Sequence, residues 1–193
     1  VASSWVPPGT HALLRALAGQ AGLDVYAEGF ARLYPAFLYP GESMEDPSQE
    51  STLALPIHRD LDTLNPLSWR RVARRIAQRG DSLVIPAWTF FTAPCLGWIA
   101  RAVRRRGVEV VMLVHNVTDH EQSWWKSRLS RWQLAAADRF VTHTPELSAQ
   151  LRDCGLSAPI SEIPHPPYAD FPPAEGRLPR EKPLELLCFG LVR

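Results

Sequence analysis

The chain has 193 residues, 46% of them hydrophobic and 21% charged, which suits one domain, or one domain with part of a second, and excludes both disorder and a collagen-like repeat. With 21 Lys+Arg against 20 Asp+Glu the net charge is +1, so global charge makes no case for a nucleic-acid partner. Cys95, Cys154 and Cys188 form no C-x-x-C pair, which indicates neither a disulfide framework nor a cysteine zinc site and fits a reducing cytosol. No apolar run reaches the length of a membrane span and no basic segment leads into one near the N-terminus, so neither a spanning helix nor a signal peptide is expected.

Charge is unevenly spread. Residues 1–64 carry 3 basic and 8 acidic side chains, residues 65–132 carry 12 and 4, and residues 133–193 carry 6 and 8. The central third therefore has a basic face.

In chain order, Pro8-Gly9-Thr10 precedes an apolar-periodic stretch, His11–Ala18. A glycine turn that opens a helix can present backbone N–H groups to a phosphate, while a plain turn capped by Thr10 explains the same residues. Asp24–Ala27 reads as a short strand. Residues 31–63, with Tyr34-Pro35, Tyr39-Pro40-Gly41 and an acidic stretch to Glu50, read as a long irregular insertion.

From residue 65 onward, helix-type and strand-type runs alternate. Helices are predicted over Pro66–Gln78, Ala93–Arg106, Gln122–Ala137 and Pro145–Cys154, where apolar residues recur at three and four. Strands are predicted at Leu83–Trp88, Val108–Val114, Arg139–His143 and Ile160–Ile163. Asn65-Pro66 and Thr144-Pro145 place a capping residue before a proline at the first helical position, and Gly80, Gly107 and Gly155 stand where helices should end. Alternation of this kind predicts an α/β fold with a doubly wound, Rossmann-like parallel sheet.

The basic third contains Arg70, Arg71, Arg74 and Arg75, which the helical period puts on one side, opposite Val72, Ala73 and Ile76. Arg101, Arg104, Arg105 and Arg106 follow, and then a tryptophan-rich segment, Trp124–Trp132. Amphipathic helices with basic flanks and tryptophans can lie on an anionic membrane; solvated arginines over packed tryptophans are the alternative.

The strand at 108–114 leads into His115-Asn116-Val117-Thr118-Asp119-His120-Glu121. Ligands of open α/β sheets bind outside the carboxyl ends of strands, so a polar cluster there is a candidate site. An ordinary polar loop is the alternative, since Thr118 and Glu121 have capping-box spacing. With His143 and His165 at the ends of the next strands, the cluster also contains N and O donors for a metal-assisted hydrolase, although no recognised ligand spacing occurs. A noncatalytic nucleotide- or partner-binding Rossmann module is the third possibility.

Beyond residue 163 the composition shifts. Residues 164–183 contain seven prolines and read as an interdomain connection. Leu184–Gly190 then opens a new strand. The expected organisation is an N-terminal domain over 1–176, followed at 177–193 by a linker and the first strand of a second domain.

Taken together, Tyr34-Pro35 with Tyr39-Pro40-Gly41, Leu64–Trp69, Val114-His115-Asn116-Val117 with His120-Glu121, Ala137–Val141, Ile163-Pro164-His165-Pro166 and Phe189–Arg193 resemble, in this order, the N-terminal half of family 4 glycosyltransferases of the GT-B fold. The resemblance implies a cleft between two Rossmann-like domains, with nucleotide-sugar donor contacts mostly in the second domain and acceptor contacts in the first. It implies His115 as the residue facing the donor sugar, Gly9 and Thr10 in the loop over the donor phosphates, Asn116, His120 and Glu121 as substrate-binding, and Arg193 at the start of a phosphate-facing loop. Pro8-Gly9-Thr10 departs from the family's usual glycine pair. The implied acceptor is a saccharide, a lipid-linked sugar or a small molecule; transfer proceeds with retention, without metal or further cofactor. The implied location is cytoplasmic, with attachment to an anionic inner membrane face as an extension. Residues 1–193 alone are expected to be inactive.

Overall fold

The computed structural model describes residue 14 and residues 16–34, 56–117 and 123–164. Strand β1 (Ala27–Arg32) and β2 (Ile57–Asp62) are followed by helix α1 (Pro66–Arg79), β3 (Ser82–Ala87), a 3-10 turn (Phe90–Thr92) and α2 (Ala93–Arg104). Then come β4 (Glu109–Val114), α3 (Trp124–Leu134), β5 (Arg139–Thr142), α4 (Pro145–Asp153) and β6 (Ile160–Glu162). β1 and β2 pair in one sheet, and β3-β4-β5-β6 form a second in that order; every pairing is parallel. This is the α/β, Rossmann-like arrangement expected from the alternating pattern.

Parallel strands covered by helices must be apolar on both faces, and β3 and β4 are. They pair without a slip from Ser82↔Glu109 to Ala87↔Val114. Leu83, Ile85, Val110, Met112 and Val114 are buried, together with Val72, Ala73 and Ile76 of α1, Leu96, Ile99 and Val103 of α2, Leu134, Phe140 and Leu151. At the opposite end of the sheet, the Asp138 carboxylate accepts the Val110 N–H at 2.9 Å and pairs with Arg104 at 2.6 Å. One side chain thus ties the start of β4 to the end of α2.

The helix starts are set locally. Asn65 Oδ1 accepts the Leu67 N–H at 3.0 Å and Thr144 Oγ1 the Leu147 N–H at 3.3 Å, each with proline in the first turn. Such caps contribute about 1 kcal/mol each. Gly107 and Gly155 have φ of +88° and +71°, the left-handed conformation that a side chain disfavours. Gly80 also stands at the end of α1 as expected, with a φ of −117° and its N–H bonded to the Ile76 carbonyl at 2.8 Å.

Three sequence expectations require correction. The first strand lies at 27–32 rather than 24–27. The supposed insertion over 31–63 contains β2, whose Ile-His-Arg-Asp-Leu-Asp sequence buries only Leu61 fully and pairs in parallel with β1, so it carries little apolar signal. The four arginines of α1 do not share one solvated face. Arg75 spans Glu28 on β1 (Nε to Oε1 2.6 Å) and Asp60 on β2 (2.6 Å), and Arg71 approaches Asp60 at 3.6 Å. The expected hinge and second-domain strand lie outside the described residues.

Candidate functional site

β4 ends at Val114, and the next two residues are fastened to β3. The backbone N–H groups of His115 and Asn116 both reach the Ala87 carbonyl, at 2.9 and 3.5 Å, and Asn116 Nδ2 donates to the Trp88 carbonyl at 3.3 Å. The carboxyl ends of β3 and β4 are thereby joined one residue beyond the sheet ladder. His115 is half-buried there, its ring centroid 5.3 Å from that of His143, which follows β5.

His143 is held in turn by the end of β6. Its Nδ1 lies 2.9 Å from the Ile163 carbonyl oxygen. A carbonyl only accepts, so this bond keeps a proton on Nδ1. Three successive strand ends, β4, β5 and β6, therefore supply a ring, a second ring and the group that orients it.

Beside this pair, Trp88, Thr89, Phe90, Asn116, Val117, Ser130 and Gln133 line a small pocket. It has about 10 Å³ of room for the centre of a water molecule, which suits one water or one hydroxyl group. Gln133 is 2% exposed, and its amide nitrogen is buried without a hydrogen-bond partner among the described residues. A buried donor left unpaired costs about 1–3 kcal/mol, so this nitrogen is an oxygen-seeking group. Sequence reasoning missed Gln133, which sits at the end of an ordinary helical pattern and gives no signal of its own.

The walls of the pocket are set by aromatic packing. Phe90 meets the edge of Trp125 at 5.2 Å, and the Lys126 ammonium lies 4.8 Å from the Phe90 ring centroid. The tryptophan-rich helix is mixed in character: Trp124 is 77% exposed, whereas Trp132 covers Gly97 and carries the Arg101 guanidinium 4.0 Å over its ring.

Of the residues expected to form the site, His115 and Asn116 are described, and both stand at the strand ends. Gly9, Thr10, His120, Glu121 and Arg193 lie outside the described residues, as do Asp119 and His165. Among the described residues no three His, Cys, Asp or Glu side chains gather as a metal would need. Among them, too, no helix is long and apolar enough to cross a membrane. Cys95 is fully buried, and burial pushes its thiol well above the usual range, which leaves it protonated and inert.

Among known sequences, the model for Glycosyltransferase Family 4 matches residues 9–166, more than four fifths of the chain. No curated protein and no solved structure matches it.

Proposed function

Since the chain belongs to glycosyltransferase family 4, we propose that it is the acceptor-side half of an enzyme that moves a sugar from a nucleotide-sugar donor to a saccharide, lipid-linked or small-molecule acceptor, with retention of anomeric configuration. Sugar transfer needs stabilisation of a departing nucleoside diphosphate and of an oxocarbenium-like centre, in a cleft that keeps water from competing with the acceptor hydroxyl. The observation that carries the reading is the half-buried His115 ring at the carboxyl end of β4, against an oriented His143.

In this reading His115 hydrogen-bonds the donor sugar near the reacting carbon. Asn116, through its bond to Trp88, keeps the strand-end backbone in place. Gly9 and Thr10 serve the donor phosphates, His120 and Glu121 the acceptor, and Arg193 the diphosphate. Most nucleotide contacts belong to a second domain, so residues 1–193 alone transfer no sugar, and the reaction takes place in the reducing cytoplasm without a metal or further cofactor.

The test is made in a chain that carries both halves. A panel of uridine- and guanosine-diphosphate sugars is screened for nucleotide release dependent on acceptor, and His115→Ala is compared with the parent. Loss of one preorganised hydrogen-bond donor at a transition state costs about 2.7–4 kcal/mol, a fall in kcat of about 100- to 1,000-fold. Near-parental turnover in folded His115→Ala protein removes His115 from the reaction; metal-dependent hydrolysis in place of transfer overturns the assignment altogether.

A further inference from the structure

The outer face made by α1 and α2 differs in chemistry from its surroundings. Arg70 and Arg74, one turn apart on α1, face Trp98, Ala102, Arg105 and Arg106 across a groove of about 550 Å³. Among the described residues no carboxylate lines it. Neighbouring arginines are already engaged, Arg71 and Arg75 with Asp60 and Arg104 with Asp138. Arg70, Arg74, Arg105 and Arg106 have no ion pair among the described residues; Arg106 donates only to the Ala102 carbonyl, at 3.1 Å. Like charges gathered without counterions repel, and Arg101 nearby, partly buried and close to Arg105 and Arg104, has its pKa lowered.

Apolar residues stand beside these charges. Leu67 continues the row of Arg70 and Arg74 at helical spacing and is 69% exposed; Leu64, just before the helix, is 53% exposed. Trp98 is 36% exposed with its ring 6.3 Å from that of Trp69. Arginine favours phosphate through its planar fork of donors. Exposed leucines gain nothing from a polyanion in water but gain from an acyl boundary, and tryptophan prefers the interface between the two.

We propose that the α1–α2 face is a docking surface for an anionic phospholipid bilayer: Leu64 and Leu67 enter the headgroup boundary, Trp98 rests at its level, and Arg70, Arg74, Arg105 and Arg106 hold lipid phosphates. The surface is separate from the strand ends that carry His115, and the proposal stands or falls independently of sugar transfer. It also narrows the membrane-facing region from Arg70, Arg71, Arg74 and Arg75 with the Trp124–Trp132 segment to this groove, where Arg70, Arg74, Arg105 and Arg106 have no ion pair among the described residues.

Cosedimentation of the 193-residue chain with phosphatidylglycerol–phosphatidylcholine vesicles, and with phosphatidylcholine alone, tests it. Binding is expected to the anionic vesicles only and to weaken between low and high salt, because the attraction is screened within about 8–10 Å at physiological ionic strength. Each basic residue near such a surface contributes about 1 kcal/mol, a factor of about five, so Arg70→Gln with Arg74→Gln should weaken binding about 25-fold. Leu67→Ser should weaken it further, whereas a charge-matched control, Arg128→Gln with Arg152→Gln, should stay within about twofold of the parent. Arg105→Gln with Arg106→Gln repeats the test from the other wall should the first pair perturb folding. Equal binding to both vesicle types, an equal loss in the control, or binding to inorganic pyrophosphate or a short RNA in place of vesicles overturns the assignment.

Discussion

Arg75→Met is the most informative perturbation of the fold. Arg75 reaches from α1 to both strands of the smaller sheet, with two bonds to Glu28 and two to Asp60. The Glu28 side chain is only 2% exposed, against 31% for Asp60. Removing the guanidinium leaves Asp60 with Arg71 and water, and Glu28 with an uncompensated buried charge. Breaking a buried pair in this way costs about 3–5 kcal/mol, a large part of the roughly 5–15 kcal/mol that holds a domain folded. With a urea slope of about 2 kcal/mol/M, the unfolding midpoint should fall by about 1.5–2.5 M. Glu28→Leu added to Arg75→Met removes the stranded charge and should recover much of the loss. A midpoint within about 0.5 M of the parent in Arg75→Met, with no recovery in the double variant, would refute the argument by showing that Glu28 is hydrated without its partner.

Gly97→Ala should also destabilise, although alanine favours a helix by about 1 kcal/mol, because the new methyl meets Trp132 Cε3 at 2.9 Å and the backbone Cα of Gln133 at 3.1 Å. Overpacking of this kind costs about 1–3 kcal/mol, and a melting temperature equal to or above the parent's would show that Trp132 simply swings aside. Asp60 and Asp62 are held below the usual carboxylate range by hydrogen bonds from Arg75 and Arg32 respectively. A carboxylate with a lowered folded-state pKa contributes stability above its unfolded value near 4 and loses it as pH falls further, so the urea midpoint should drop between about pH 5 and 3. In Asp60→Asn that drop should be shallower; an unchanged slope would rule Asp60 out as a contributor. Gln133 Nε2 should hold an ordered water about 3 Å away in a high-resolution crystal structure, and the water should vanish in Gln133→Met. A dry pocket in the parent would contradict the oxygen-seeking role.

The central β-α-β alternation was legible because its signals are local. Asn65-Pro66 and Thr144-Pro145 cap as they read, and Val108–Val114 announces a buried strand whose end places His115 at the edge of the sheet. β2 escaped because its partners, the β1 ladder and Arg75 at Asp60, are distant in sequence, and its own residues alternate neither by two nor by face. The same distance explains why nothing in the local sequence joins Arg75 to Glu28 and Asp60. At the site, His115 and Asn116 followed from the position of a strand end. Gln133 did not, since an orphaned amide is a property of the packing around it and has no sequence pattern.

The shared acceptor at the Ala87 carbonyl has a consequence for engineering. The backbone at position 115 is fixed by bonds that no side chain makes, and the residue is only half enclosed. Replacing His115 by each of the other amino acids apart from proline should therefore return folded protein nearly throughout. Comparing turnover across the folded variants would then test the proposed contact between position 115 and the donor sugar, with His143 replaced in parallel to separate out the ring contact between the two.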